Sequence, residues 1–364
     1  MQEGINVTNK ATVIDPGGRA SPPDTAALIR RLPKVEMHLH LEGAIRADTA
    51  VALARKNGVA LPPFVQPQDL YTFTDLPSFL TVYTAIAQAV RTADDFRRIT
   101  YEMLENCAAS GARRVEFFIS PHAHQGVDFG LQFDGIRAGM REAAADFGLS
   151  SGFSPGVNRE LGPAAGEEYL DRILAHRSDE LIGLGLDYNE PPFPPEPFAA
   201  LFARARANGL RLSAHAGETG PAAYVKGTIA ALKVNRIDHG YNVMNDPALV
   251  DSCRATGVMF TCCPTNTRFT FFGVDMRDPR HPIRAMREAG LVLSINSDDP
   301  TMMQIDLAHE YEVAMNELGF TPADIKASIL ASVAHCWADE SLRKAWLREW
   351  PAQIDAIFAA MGKP

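Results

Sequence analysis

The sequence predicts a (β/α)8 barrel of the TIM type, and three observations lead there. From Leu32 onward, short apolar, β-rich runs alternate with longer stretches of helical period, the pattern of βα units around a parallel sheet. Eight such runs are present, the number that closes a barrel. No GxGxxG follows an early strand, so the main signature of an open, doubly wound dinucleotide binder is missing.

The elements follow in order. Residues 1–31 are polar, are broken at Gly17-Gly18 and Pro22-Pro23, and read as an N-terminal tail with one short helix at 25–31. Residues 32–364 read as a single barrel domain. Strands are expected at 35–40, 114–120, 149–157, 181–187, 210–215, 236–239, 258–263 and 291–298. Helical period covers 133–147, 197–208, 222–233 and 282–289. Two helices are inserted after the first strand at 76–110, and helices over 306–361 close the chain. The run Pro191-Pro192-Phe193-Pro194-Pro195 reads as a loop, because its prolines have no N–H to donate.

Composition excludes whole classes of function. The chain has 364 residues, 46% of them hydrophobic, enough for a large core, and a net charge of −9. That charge opposes binding to a phosphate backbone, so no nucleic-acid partner is expected. Five cysteines, an odd number without a CxxC, read as reduced thiols and not as a disulfide framework or a thiolate zinc site. The N-terminus has no apolar signal segment, and no apolar run is long enough to span a bilayer. A cytoplasmic enzyme with a small-molecule partner and no membrane association is the expectation.

In a barrel, reactive groups belong at the C-terminal ends of the strands. The first strand ends in His38-Leu39-His40, where i and i+2 share a face and both imidazoles project inward. The fifth ends in His215-Ala216-Gly217-Glu218, the sixth in Asp238-His239-Gly240, and the eighth in Asn296-Ser297-Asp298-Asp299-Pro300. Taken singly, each has a structural explanation: a core histidine, a turn, a carboxylate near a helix start. Taken together, four strands deliver ionisable groups at the end where chemistry is expected. Three histidines and a carboxylate suit zinc, which would lower the pKa of its water to about 7. Glu218 and His239 are then the spare acid and base, and Asp299 is free to bind substrate.

Through LPKVEMHLHLEGAIR, SAHAGE, IDHGYN and SINSDDP, in that order, the chain resembles the adenosine/adenine deaminase family of the amidohydrolase superfamily. The resemblance runs from about Leu32 nearly to the end. It implies hydrolytic removal of the 6-amino group of a purine, adenosine or adenine, by attack of an activated water at C6. It implies one zinc per chain held by His38, His40, His215 and Asp298, with a water making a five-coordinate metal. Glu218 is similar to the glutamate that protonates N1, His239 to the histidine that accepts or orients the water's proton, and Asp299 to the aspartate that hydrogen-bonds N7. The DLPSFL stretch is similar to the family's hydrophobic lid, with Leu76, Phe79 and Leu80 as its apolar residues. A lid excludes water and strengthens electrostatics inside a site.

Two departures bear on the substrate. Where adenosine deaminases commonly carry an aspartate for the ribose 5′-hydroxyl, this chain has Glu42. After the fourth strand, where they commonly carry GDE with a glycine N–H toward N3, it has Gly185-Leu186-Asp187-Tyr188-Asn189-Glu190, closer to the GLDSSE of adenine deaminases. Tyr188 retains an N–H, and its side chain takes up space that, if it faces the site, crowds the position of a ribose. Against that, Ser120-Pro121-His122 is more like adenosine deaminases, and 261–272 matches neither group. Adenosine, adenine or a modified 6-aminopurine all stay open. A binuclear amidase is disfavoured, since 181–190 lacks the lysine that bridges two metals. A catalytically silent binding protein is disfavoured because every ligand, acid and base position holds a competent residue.

Overall fold

Parallel strands follow one another in chain order around an eight-stranded sheet. They are β1 (Lys34–Glu36), β2 (Ala112–Ile119), β3 (Ser150–Asn158), β4 (Gly183–Asp187), β5 (Arg211–Ala216), β6 (Arg236–His239), β7 (Met259–Cys262) and β8 (Val292–Ile295). The computed structural model of the chain describes residues 23–73, 76–271 and 274–361, except the side chains at 23, 24, 76, 77 and 80. Helix α1 (Pro23–Arg31) precedes β1, and α2 (Ala47–Asn57), α3 (Leu76–Ala89) and α4 (Ala93–Ala109) separate β1 from β2. Then α5 (Phe129–Phe147), α6 (Gly162–Leu174), α7 (Ala199–Ala207), α8 (Ala222–Gly227) and α9 (Pro247–Thr256) each follow one strand, β2 to β6 in turn. After β7 come α10 (Thr267–Thr270) and α11 (Pro282–Glu288), and after β8 come α12 (Leu307–Asn316), α13 (Pro322–His335) and α14 (Glu340–Met361).

Local chemistry sets the helix ends. Thr92 accepts the Asp95 N–H at 3.2 Å while the Asp95 carboxylate accepts the Thr92 N–H at 3.0 Å, a reciprocal cap that starts α4. Asp95 also accepts from Asn57 at 2.9 Å, tying the end of α2 to the start of α4. Helices α2, α5 and α9 stop at Gly58, Gly148 and Gly257, whose φ of 66°, 66° and 68° favours a residue without Cβ.

The barrel closes between β1 and β8. The His40 N–H donates to the Asp298 carbonyl at 2.8 Å, and the Asp298 N–H to the His38 carbonyl at 2.9 Å. The first strand is shorter than the 35–40 expected, and Glu36 is the reason. Its carboxylate accepts the N–H groups of Met37 and His38, each at 3.1 Å, which are then unavailable to a ladder. The same carboxylate accepts the N–H and hydroxyl of Ser297, so one buried side chain joins both strands of the seam. At the opposite end of the barrel, Glu116 accepts from Arg236 at 2.7 Å and Arg114 at 3.1 Å, a buried plug far from the strand C-termini.

Helix α1 falls within the segment assigned to the tail, yet it packs on α12 and α14 with Ile29 fully buried and Arg30 paired to Asp306 at 2.7 Å. All five cysteines are buried and unpaired. Among the described residues, no helix is long and apolar enough to cross a membrane.

Candidate metal and catalytic site

The strand ends at this mouth of the barrel are strained. Tyr188, His239 and Asp298 adopt φ of 71°, 65° and 63°, a left-handed region that non-glycine residues enter at about 1–2 kcal/mol each. Strain of this kind concentrates where side chains must be aimed. Here it falls at the last residue of β6 and at residues just past β4 and β8.

Four side chains meet there. His215 Nε2 lies 3.1 Å from His38 Nε2 and 3.3 Å from His40 Nε2, and Asp298 Oδ1 is 3.4 Å from both of the latter atoms. A tetrahedral cation with ligand distances near 2.0–2.1 Å spaces its ligands about 3.3 Å apart. The four donors are therefore close enough together to hold one metal ion. Tautomer chemistry agrees. The Thr261 hydroxyl donates to Asp238 Oδ1 at 2.9 Å and so accepts from His38 Nδ1–H, also at 2.9 Å, which leaves the His38 Nε2 lone pair for the site. Burial, followed by neighbouring His215, holds the His38 pKa well below its ordinary value and keeps it a neutral ligand. His40 shows that positive charge is wanted here. Burial pulls its pKa down, but Asp187, Asp299, Asp298 and Glu42 together push it up to about 9. A cation answers the same demand.

A second grouping, His38, His239, Cys263 and Asp298, shares two residues with the first. Burial pushes the Cys263 thiol well up, and a protonated thiol is a poor ligand. The three-histidine set is the better cradle.

Glu218 and His239, the acid and base expected from the sequence, stand beside it. Glu218 Oε2 is 3.8 Å from His239 Nε2, which is 4.0 Å from Asp298 Oδ2. Burial, then Asp298 and Glu190, push the Glu218 pKa up to about 8, so it carries a proton at neutral pH. Burial, then His38, hold His239 well below its ordinary value. The Tyr241 hydroxyl donates to the Cys263 carbonyl and accepts from His239 Nδ1 at 3.2 Å, leaving Nε2 as a free acceptor. Burial and Asp298 hold the Asp299 carboxyl well above the carboxylate range, making it a donor. Asp299 rests on the backbone of Gly43, where a Cβ would come within 1.8 Å of Oδ1.

Glu42 sits lower and is held from one side. Its Oε1 accepts from the Ser120 N–H and from His124 Nε2, each at 2.9 Å, while Oε2 is buried without a partner. Tyr188 has its ring 5.1 Å from His122, and its N–H donates to Asp187 Oδ1 at 2.7 Å. Phe79 packs on Phe73 at 5.1 Å and on Tyr83 at 6.0 Å, within a helix that leans on the turns at Glu42–Ala44 and Pro121–Ala123. The side chains of Leu76 and Leu80, expected in the same lid, lie outside the described residues.

Several residues at the site were not singled out from sequence. Asp187 lies 3.7 Å from His40 and 3.8 Å from His215, and Asp238 lies 3.8 Å from His215 Nδ1. Glu190 accepts three successive N–H groups, from Gly217, Glu218 and Thr219, at 2.7, 2.7 and 3.0 Å, and so shapes the loop that carries Glu218. Asn266 donates to Glu218 at 3.0 Å and to Asp298 at 2.9 Å, linking acid to ligand. Asp187, Glu190 and Asp238 stood inside quoted motifs, which was a usable signal. Asn266 and Glu42's partner His124 had none.

Comparison with known proteins places the chain in a family. The family model for adenosine deaminase matches residues 33–350. The chain is 38% identical over 335 residues to an adenine deaminase of Cupriavidus necator, covering 86% of this chain and 94% of that protein. It is 34% identical, with a TM-score of 0.87, to an amidohydrolase from Burkholderia ambifaria solved with bound Zn, over 94% of this chain and 96% of that one. An adenine deaminase from Arthrobacter aurescens is 33% identical with a TM-score of 0.83, over 89% and 99% of the two chains. With the family's motifs lying at the strand ends of its barrel, this chain belongs to the adenosine deaminase family.

Proposed function

We propose that this protein is a zinc-dependent adenine deaminase, replacing the 6-amino group of adenine by oxygen and releasing ammonia, with one metal ion per chain. The observation that carries the reading is the convergence of His38, His40, His215 and Asp298 beside Glu218 and His239. Adenine, in preference to adenosine, is supported by near full-length likeness to the Cupriavidus and Arthrobacter enzymes. The deaminase unit is assigned to residues 32–364, with α1 as a buttress. A cytoplasmic location accords with five buried, unpaired cysteines.

When bound, the metal supplies Lewis acidity that lets water ionise near neutral pH. Glu218, protonated, gives its proton to ring N1 and leaves C6 electron-poor. His239, neutral with Nε2 free, takes the proton released by the attacking water and passes it to the departing amino group. Glu218, now a carboxylate, recovers a proton from the C6 hydroxyl as the carbonyl forms. Asp299 donates to N7 and holds the ring in register. Adenine and water become hypoxanthine and ammonia, and both side chains end as they began.

The test is kcat/KM on adenine and adenosine, side by side, with metal content determined on the same sample. Preference for adenine with about one zinc per chain is expected. Absence of ammonia release from adenine by metal-loaded protein would overturn the reading. Inactivity on both with zinc bound would point to a modified 6-aminopurine.

A further inference from the structure

Each carboxyl of the site has two oxygens, and a metal-assisted deamination asks something different of each. Asp298 must turn one oxygen to the cation, and Glu218 must offer its proton on the side where the chemistry happens. A carboxyl by itself does not distinguish its oxygens, so a neighbour has to.

One amide lies between the two groups. Asn266 is buried in the loop after β7, just ahead of α10. The residues on either side of it are anchored. The Thr265 N–H donates to Glu310 Oε2 at 2.9 Å, and the Thr267 hydroxyl donates to the Pro264 carbonyl at 2.6 Å. From that position Asn266 Nδ2 donates to Glu218 Oε1 at 3.0 Å and to Asp298 Oδ2 at 2.9 Å. Both amide hydrogens are then used. The amide cannot be turned round, because its oxygen would face Asp298 Oδ2, and a carboxylate that holds a metal has no hydrogen to give. The Thr270 hydroxyl, 3.3 Å from Asn266 Oδ1, marks the side where the amide oxygen belongs.

The two hydrogen bonds fall on the oxygens that the chemistry leaves over. On Asp298, Oδ1 is the atom 3.4 Å from Nε2 of both His38 and His40, and Oδ2 takes the amide hydrogen. On Glu218, Oε1 takes the other hydrogen, and Oε2 is the atom 3.8 Å from His239 Nε2. A neutral carboxyl accepts best at its carbonyl oxygen and donates from its hydroxyl, so the proton of Glu218 belongs on Oε2, on the side of the base.

We propose that Asn266 is a positioning residue that sorts the oxygens of both carboxyls, keeping Oδ1 of Asp298 for the metal and Oε2 of Glu218 for proton transfer. The acid half rests on the adenine reading, and the metal half does not.

The experiment uses wild type, Asn266→Ala, Asn266→Asp, Glu218→Gln and the double variant Asn266→Ala/Glu218→Gln. Zinc affinity is read without turnover, by competition with a chelating dye. Rates on adenine are read at zinc concentrations that saturate each variant. Asn266→Ala should weaken zinc binding by about tenfold or more, the scale of losing a hydrogen bond to a ligand, while Glu218→Gln leaves it unchanged. The same alanine change should lower kcat by about tenfold or more, with a smaller change in KM. Where Glu218 is already Gln, it should cost less than about threefold, because the proton to be placed is gone. A fault of packing alone would cost the same factor in both backgrounds. Asn266→Asp keeps the size and removes both donors, so its losses should match or exceed those of alanine, and it covers an alanine variant that does not fold. Equal losses of kcat in both backgrounds, or a zinc affinity unmoved in both Asn266 variants, overturns the proposal. Zinc-bound wild type that fails to deaminate adenine would sink the functional reading alone, because zinc affinity still reports on Asn266.

Discussion

Glu218 and His239 sit 3.8 Å apart, and burial pushes the carboxyl up and the imidazole down, which is the arrangement the proposed acid and base roles require. Replacing Glu218 by Gln keeps the shape and the hydrogen bond from Asn266 but removes the transferable proton. The expected result is a loss of about 10²–10⁴ in kcat with zinc content unchanged. Steady-state rates and metal analysis on one preparation check it, and a wild-type rate would remove Glu218 from the acid role. Asp299 depends on a residue with no chemistry of its own, since the backbone of Gly43 leaves room for it.

At the scale of elements, the loops after β4 and β7 act as struts. Glu190 ties three backbone N–H groups of the loop that carries Glu218. Glu190→Ala leaves those donors unpaired at a cost of about 1–3 kcal/mol each where they stay buried. A lower Tm is expected, together with a kcat reduced at least tenfold and a smaller change in KM. Unchanged kcat in a folded variant would show that the strut does not set the acid's position. Glu310 of α12 holds the loop after β7, accepting the Thr265 N–H at 2.9 Å next to Asn266. Burial pushes its pKa up to about 8. The folded state therefore keeps a proton that the unfolded chain gives up near pH 4.5. Stability from this group is full below about 4.5 and is lost as pH rises through about 8. Between pH 5.5 and 8.5, the Tm of wild type should fall by more than that of Glu310→Gln, measured by scanning calorimetry. Parallel curves for the two would refute the assignment.

At the scale of the whole molecule, the barrel gathers carboxylates around His40 into a charge imbalance that the proposed cation would relieve. Asp187, Asp298 and Glu42 are among the carboxylates that raise the His40 pKa against the effect of its burial. Metal binding to the native state alone adds about 4 kcal/mol when the free metal is a thousandfold above its Kd. Chelation should lower Tm by several degrees and abolish turnover, and zinc should restore both. An unshifted Tm in demonstrably metal-free protein would separate the cluster from stability.

Much of this was legible before any fold was known, and for a physical reason. Alternation of apolar period reports burial, and burial is what makes eight strands and their helices, so the barrel was readable from 32 onward. His38, His40, His215, Glu218, His239, Asp298 and Asp299 were readable because a barrel sends strand C-termini to one mouth, and each lies at or just past such an end. Asn266, His124 and the double grip of Glu190 were not. Their roles exist only where loops from different strands touch, and no local pattern encodes that contact. The shortened β1 belongs to the same class, because Glu36 takes its N–H groups only once Ser297 of the far seam is beside it. Sequence alone determined the fold class, since that follows from period, and the reaction class, through the resemblance of four motifs to the deaminase family. Tertiary structure alone decided which way Tyr188 faces and that Glu42 keeps one oxygen free, since both depend on what the loops after β2 and β4 press against.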